Sequence, residues 1–440
     1  MGEANPAVSG QYTFTVDVQN DKELTIARAA GGGLWGTGYI EYTGEGKVYF
    51  TSNGSASRAA VASPLRLNVD SVFTKGAYVG SSLAIEGKEV VSNEKINLTG
   101  AGKLIVGTVD ANGNATSTAT LSFKSTNSKA ENGTYTYVDA NDSWLTATAG
   151  SSVLINKGST INAGVVRLVD TSSATGGADL TVNGTLNVGY TSQSWKGEYA
   201  LWANNMTVGK DGKVIVAIDP KAKNAAAEKA DIYVRASLDN AGEISTEATN
   251  YIYMANGSKL TLREGSNIKT SGAISQAESL IYLQHAEYLI SADNAYYPRE
   301  SEQKNIANVN LVLESDQVLG GFRAVAGSTL TIDLKGNKLD LGSFEDLDGD
   351  LNFSIIINDF ANGLISFDSD SKIVTDTPNI NNIVLAYANI DGVKTMLELE
   401  WQTVGDKSFL YSQALVPEPA QWAAIFGALA LAFVAYRRRR

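Results

Sequence analysis

Cysteine is missing from all 440 residues. That excludes disulfides, thiolate zinc sites and a cysteine nucleophile together, and leaves packing to hold the fold. Histidine occurs once, at His285, so neither a histidine metal site nor a charge-relay pair can be assembled; it is expected as a solvent-side strand residue. Only seven prolines accompany 42 glycines, which fits neither collagen nor a proline-rich linker. Positive charge is also short, since residues 1–416 hold 31 basic against 46 acidic groups. Lys and Arg stand singly among carboxylates there, and without a clustered basic face no nucleic-acid partner is expected. Helical signals are as sparse. The best internal candidate, 220–229, has strong helix formers but little apolar face, and reads as a loop excursion.

What is present is strand. Hydrophobic residues make up 43% and charged residues 19% of the chain, enough apolar surface to offset the entropy of folding. Apolar or β-branched side chains fall on every second position in runs such as 12–18, 103–106, 180–188, 213–218 and 330–334, which is the strand period. A looser repeat lies beneath it: a glycine-centred turn leads into an alternating strand at Gly158, Gly184, Gly212, Gly257 and Gly327. The first three are about one repeat apart, and longer later spacings fit insertions on one face of a stacked array. Glycine is expected at such turns for left-handed backbone. The rival is an antiparallel β-sandwich array, because Asn-Gly hairpin signals stand at Asn53, Asn112, Asn132, Asn183, Asn256 and Asn362.

The segment 328–341, Ser-Thr-Leu-Thr-Ile-Asp-Leu-Lys-Gly-Asn-Lys-Leu-Asp-Leu, resembles the rungs of β-helical autotransporter passengers. The resulting expectation is an all-β chain: an irregular β-rich capping region over 1–100, a right-handed parallel β-helix over 101–415, and a separate tail with an apolar helix over 416–440. The glycine-rich stretch 29–38 has neither dinucleotide-fingerprint spacing nor a following helix, and is expected as a tight turn.

The tail has its own composition. Pro417, Glu418 and Pro419 precede an apolar run from Trp422 to Tyr436, and Arg437, Arg438, Arg439 and Arg440 follow. As a helix that run reaches roughly 22 Å, short of a ~30 Å bilayer core unless the arginines snorkel. This order resembles the PEP-CTERM sorting signal of Gram-negative bacteria. The resemblance implies transient anchoring in a membrane, removal of the tail by an exosortase-type processing enzyme, and delivery to the cell envelope or extracellular matrix. Its signal residues carry over as Pro417, Glu418, Pro419, Trp422 and the four arginines. Residues 1–6 lack the basic and apolar regions of a signal peptide, so export requires that one was removed or lies upstream.

No catalytic spacing stands out, and the chain is expected to be a structural or adhesive protein rather than an enzyme, with extracellular polysaccharide as a candidate partner and no cofactor. A carbohydrate-active enzyme or glycan-binding module is the alternative, since β-helix enzymes place carboxylates on one exposed sheet face. The acidic run 345–350 offers oxygen ligands at Asp346, Asp348 and Asp350, but Gly349 precedes the last of them where a calcium loop places glycine after its third ligand. It is expected as an acidic turn, with calcium dispensable for folding.

Overall fold

The computed structural model describes residues 13–28, 39–52, 58–123, 128–129, 135–136, 144–169, 176–190, 199–218, 231–246, 251–270, 273–283, 288–290, 296–298, 306–346 and 350–415. The segments 29–38 and 220–229, His285, Asp348 and the whole tail fall outside them.

The protein is all-β, and its strands pair mostly in parallel within one sheet of 32 strands. A strand usually passes over its two successors and pairs with the third, so Trp144–Ala147 meets Val165–Arg167, Ser152–Ile155 meets Asp179–Val182, and Thr160–Ala163 meets Thr185–Tyr190. Followed level by level, these pairings make three ladders. Tyr199–Val208 and Asp231–Asn240 each run from the third ladder into the first, and Leu65–Phe73 runs from the first into the second, which joins all three.

Alternation explains the stacking. In the first ladder Leu104, Val153, Leu180, Met206, Leu238 and Leu260 lie directly opposite one another in turn. The second stacks Leu121, Ile161, Leu186, Val214, Ile244 and Ile268; the third stacks Leu145, Val166, Leu201, Ile232, Ile252 and Ile281. All eighteen are at most 1% exposed and belong to one hydrophobic cluster. Each such side chain contributes roughly 1.5–3 kcal/mol by leaving water. A single level could not bury it alone.

Polar side chains finish what the strands leave open. Asn187 donates through Nδ2 to Asn162 Oδ1 at 2.8 Å, and Asn162 donates in turn to Ser122 Oγ at 3.1 Å. Where the ladders turn, buried Asn156 donates to the Gly107 carbonyl at 2.8 Å and buried Ser159 accepts the Ala119 N–H at 3.2 Å. Both satisfy backbone groups that no strand partner reaches.

The five repeat glycines do precede ladder strands, but for two reasons. Gly158, Gly257 and Gly327 have φ of 76°, 78° and 84°, the left-handed backbone that was expected. Gly184 and Gly212 do not. There a Cβ would land on backbone carbonyl oxygens: those of Asn156 and Ser159 for Gly184, and that of Val182 for Gly212. The N–H of Lys213 reaches the Gly184 carbonyl and that of Glu243 reaches the Gly212 carbonyl, so Gly184, Gly212 and Gly242 stand on consecutive levels of one corner.

The parallel pairing sets aside the sandwich array. Asn112 alone among the described Asn-Gly pairs closes a hairpin, between Thr108–Val109 and Ala115–Ser117. At Asn183, Asn256 and Asn362 the flanking strands pair with other levels and not with each other, so the same dipeptide turns a corner instead of reversing the chain. Antiparallel pairing otherwise joins two short strand pairs, Ser128–Lys129 with Tyr135–Thr136 and Tyr288–Ile290 with Tyr296–Pro298, and recurs near residue 400, where Val384–Ile390 pairs with Val393–Leu397, and Lys407–Tyr411 pairs with both Glu400–Val404 and Ile365–Asp368.

Candidate functional site

Pro417, Glu418, Pro419, Trp422, Arg437, Arg438, Arg439 and Arg440 lie outside the described residues, as do His285 and Asp348. Among the described residues no helix is long and apolar enough to cross a membrane. At the acidic run, Asp346 is 3% exposed and its Oδ1 accepts the Asp350 N–H at 2.6 Å, while its own N–H reaches the Asp350 carbonyl. That carboxylate closes its own turn. Among the described residues no three His, Cys, Asp or Glu side chains are grouped to hold a metal ion.

The structure instead assembles a row that sequence reasoning missed. On the third ladder, the positions between the inward aliphatics place Arg167, Trp202, Tyr233, Tyr253, Tyr282 and Arg323 opposite one another on successive levels. The signal was present in the sequence as a repeated tripeptide: Ile232-Tyr-Val, Ile252-Tyr-Met and Ile281-Tyr-Leu put a tyrosine between two aliphatics each time. Strand periodicity read only for its apolar half does not register it.

At one end of the row, the Arg167 guanidinium lies 4.4 Å from the Trp144 ring centroid and 4.8 Å from that of Trp202, a cation between two indole faces. At the other end, Tyr282 packs at 4.5 Å from Tyr251 and 5.1 Å from Tyr253. Arg323 donates to Tyr282 Oη at 2.9 Å and to Glu345 Oε1 at 2.7 Å. The Tyr282 hydroxyl and then the Glu345 carboxylate hold the Arg323 pKa above its ordinary value, while burial pushes the Tyr282 phenol up against the opposing pull of Arg323. Trp202, Tyr233, Tyr253 and Tyr282 are all buried, so this middle stretch is a packed aromatic spine.

The open stretch of the same face carries cations. Arg58 donates to Tyr78 Oη at 2.8 Å with its guanidinium 5.3 Å from the ring, and Lys95 lies two levels along, past Gly76. Lys95 makes no ion pair among the described residues, and its pKa falls to about 8, first through burial and then through the charges of Arg58 and Arg167. The unfolded chain keeps that proton up to about pH 10.5, so unfolding takes up a proton between pH 8 and 10.5, and stability rises with pH across that window. Below pH 8 the penalty is fully present. Lys95→Met is therefore expected to stabilise the protein at pH 7 by about 1–2 kcal/mol, allowing for solvent screening, and to flatten the rise. Thermal melts at pH 7 and 9.5 check this; a variant less stable at pH 7 contradicts it.

Comparison of the chain with protein-family models, with curated proteins and with solved structures found no match.

Proposed function

We propose that this protein is an exported structural or adhesive component of the cell surface or extracellular matrix, and that residues 417–440 are the sorting signal that delivers it there. The observation that carries the reading is the order Pro417-Glu418-Pro419, apolar run, and Arg437 to Arg440. Two prolines hold an extended segment that can enter neither a strand ladder nor a helix interior, which leaves the site before the apolar run reachable by a processing enzyme. The body fits the role. Its three ladders wind as a right-handed parallel β-helix, a reading supported by the pairing of every third strand, by strands that pass from one ladder to the next, and by one core shared among all three. Such an array builds an extended surface without needing a cofactor.

The test is the intact mass of protein recovered from the surface of its native cells, which should lack the residues after about Pro419. Variants with Glu418→Ala, or with Arg437 to Arg440 deleted, should melt as the parent does and accumulate unprocessed in the membrane fraction. Mature protein still carrying Arg440 would overturn the sorting mechanism.

A further inference from the structure

Where the parallel ladders end, one cleft gathers Asp333, Asn358, Asp359, Tyr387, Asn389 and Lys394. The strands build it. Ile332, Ile357 and Ala386 are buried in register on the first ladder, so the residues after them, Asp333, Asn358 and Tyr387, follow one another on the outer side of three adjacent strands. Val384–Ile390 then turns back in a hairpin with Val393–Leu397, where Lys394 faces Asn389. From there Lys394 reaches across Tyr387: its ammonium lies 4.6 Å from the ring centroid and donates to Asn358 Oδ1 at 2.9 Å.

That contact sets an amine against a primary carboxamide. With a C=O bond of ~1.23 Å, Nζ stands at most about 4.1 Å from the carboxamide carbon, close to the separation from which two held groups react. Asn358 Nδ2 makes no hydrogen bond among the described residues, so the amide nitrogen is not tied down. On the other side of Asn358, Asp333 is directly opposite, one strand spacing of about 4.8 Å away. Its Oδ1 is enclosed and accepts no hydrogen bond. An oxygen shut in this way meets nothing from solution, but its carboxylate can take a proton from a neighbour in the same cleft.

We propose that Lys394 and Asn358 condense into an amide bond, a side-chain cross-link made by the folded chain itself, with Asp333 carrying the proton between the two nitrogens. The ammonium first gives one proton to water, and the amine lone pair forms the bond to Asn358 Cγ as the carbonyl pair moves onto Oδ1. The attacking nitrogen then passes a proton through the Asp333 carboxylate to Nδ2. The carbonyl re-forms, the Cγ–Nδ2 bond breaks, and ammonia leaves; no oxidant or second reactant is needed. The bond joins residues 36 apart in sequence and ties Val393–Leu397 to Ser354–Asn358 across Val384–Ile390, the strand between them. In a chain without cysteine no disulfide can brace that end. The inference goes beyond the surface and matrix reading and does not rest on it, since the reaction needs only the folded body.

The experiment incubates the purified full-length chain at neutral and at alkaline pH, digests it with trypsin and reads the peptides by tandem mass spectrometry. A branched peptide is expected that joins the Asn358 and Lys394 segments, is lighter than its two parts by one ammonia, and is uncleaved after Lys394. It should form faster at alkaline pH, because only an unprotonated amine attacks. Asn358→Ala should lose it, and so should Lys394→Arg, which keeps the charge at an exposed position and leaves the fold undisturbed. Asp333→Asn should slow its formation tenfold or more, while Asp359→Asn leaves the rate unchanged. Unlinked peptides from the parent after prolonged alkaline incubation, a loss of ammonia that survives in Lys394→Arg, as a cyclised Asn358 would give, or a parental rate in Asp333→Asn would each overturn the proposal.

Discussion

Replacing Leu180 by aspartate is expected to destroy cooperative unfolding of the body, whereas the same change at Thr181 should leave it nearly intact. Leu180 is 1% exposed between Val153 and Met206 in the first ladder. Truncation of such a leucine costs about 2–5 kcal/mol, and an uncompensated buried carboxylate adds several more. Together these rival the 5–15 kcal/mol that holds a typical domain. Thr181 sits one residue on, opposite Leu154 and Thr207, with its side chain on the other face. Aspartate there remains hydrated, and a change within about 0.5–1 kcal/mol is expected. Denaturant titration of the two variants checks the whole inward assignment at once: equal effects would mean the register of this ladder is wrong.

The second large effect concerns the corner glycines. Gly212→Ala puts a methyl group onto the Val182 carbonyl, with the Gly209 carbonyl 3.0 Å away, and backbone cannot rotate aside as a side chain does. The levels must part locally, at a cost of about 3 kcal/mol, the upper part of the range for overpacking. Gly257→Ala meets nothing within 4 Å and suffers only its left-handed φ of 78°, about 1 kcal/mol. Hydrogen exchange separates the two mechanisms. Gly212→Ala should speed exchange in Asp179–Val182 and Lys213–Ile218, the strands flanking the corner, while Gly257→Ala should leave its neighbours protected. The reverse ranking would contradict the close-approach account.

These glycines also mark how far the fold could be read from the sequence. The alternation at 103–106 and 180–188 correctly assigned strands and their inward faces, because period two is a local property of each strand. Pairing direction is not local: Asn183-Gly184 is as good a hairpin signal as Asn112-Gly113, and only the presence of neighbouring levels decides that the first turns a corner. The reason for Gly184 lies in Asn156 and Ser159, a full level away, and nothing next to it in the chain announces that contact. Site residues were harder still. The tyrosines at 233, 253 and 282 repeat visibly, yet Arg323 joins them only through register. The sorting motif is the opposite case, since its chemistry is contiguous in the chain and needs no fold to be recognised.

The spacing between paired strands carries a kinetic consequence. Partners such as Asn162 and Asn187, or Asp239 and Arg263, are 25 and 24 residues apart, and longer excursions bring the distance to about fifty, as between Asn97 and Thr146. Against a chain of 440 residues these are short loops to close, closer to the helical-bundle regime of relative contact order than to that of β-sandwiches. Each new strand therefore finds its partner among residues that have just been laid down, and closing each loop adds only the entropy of a few tens of residues. A chain delivered end-first can grow its structure in the order of delivery, without waiting for its far end.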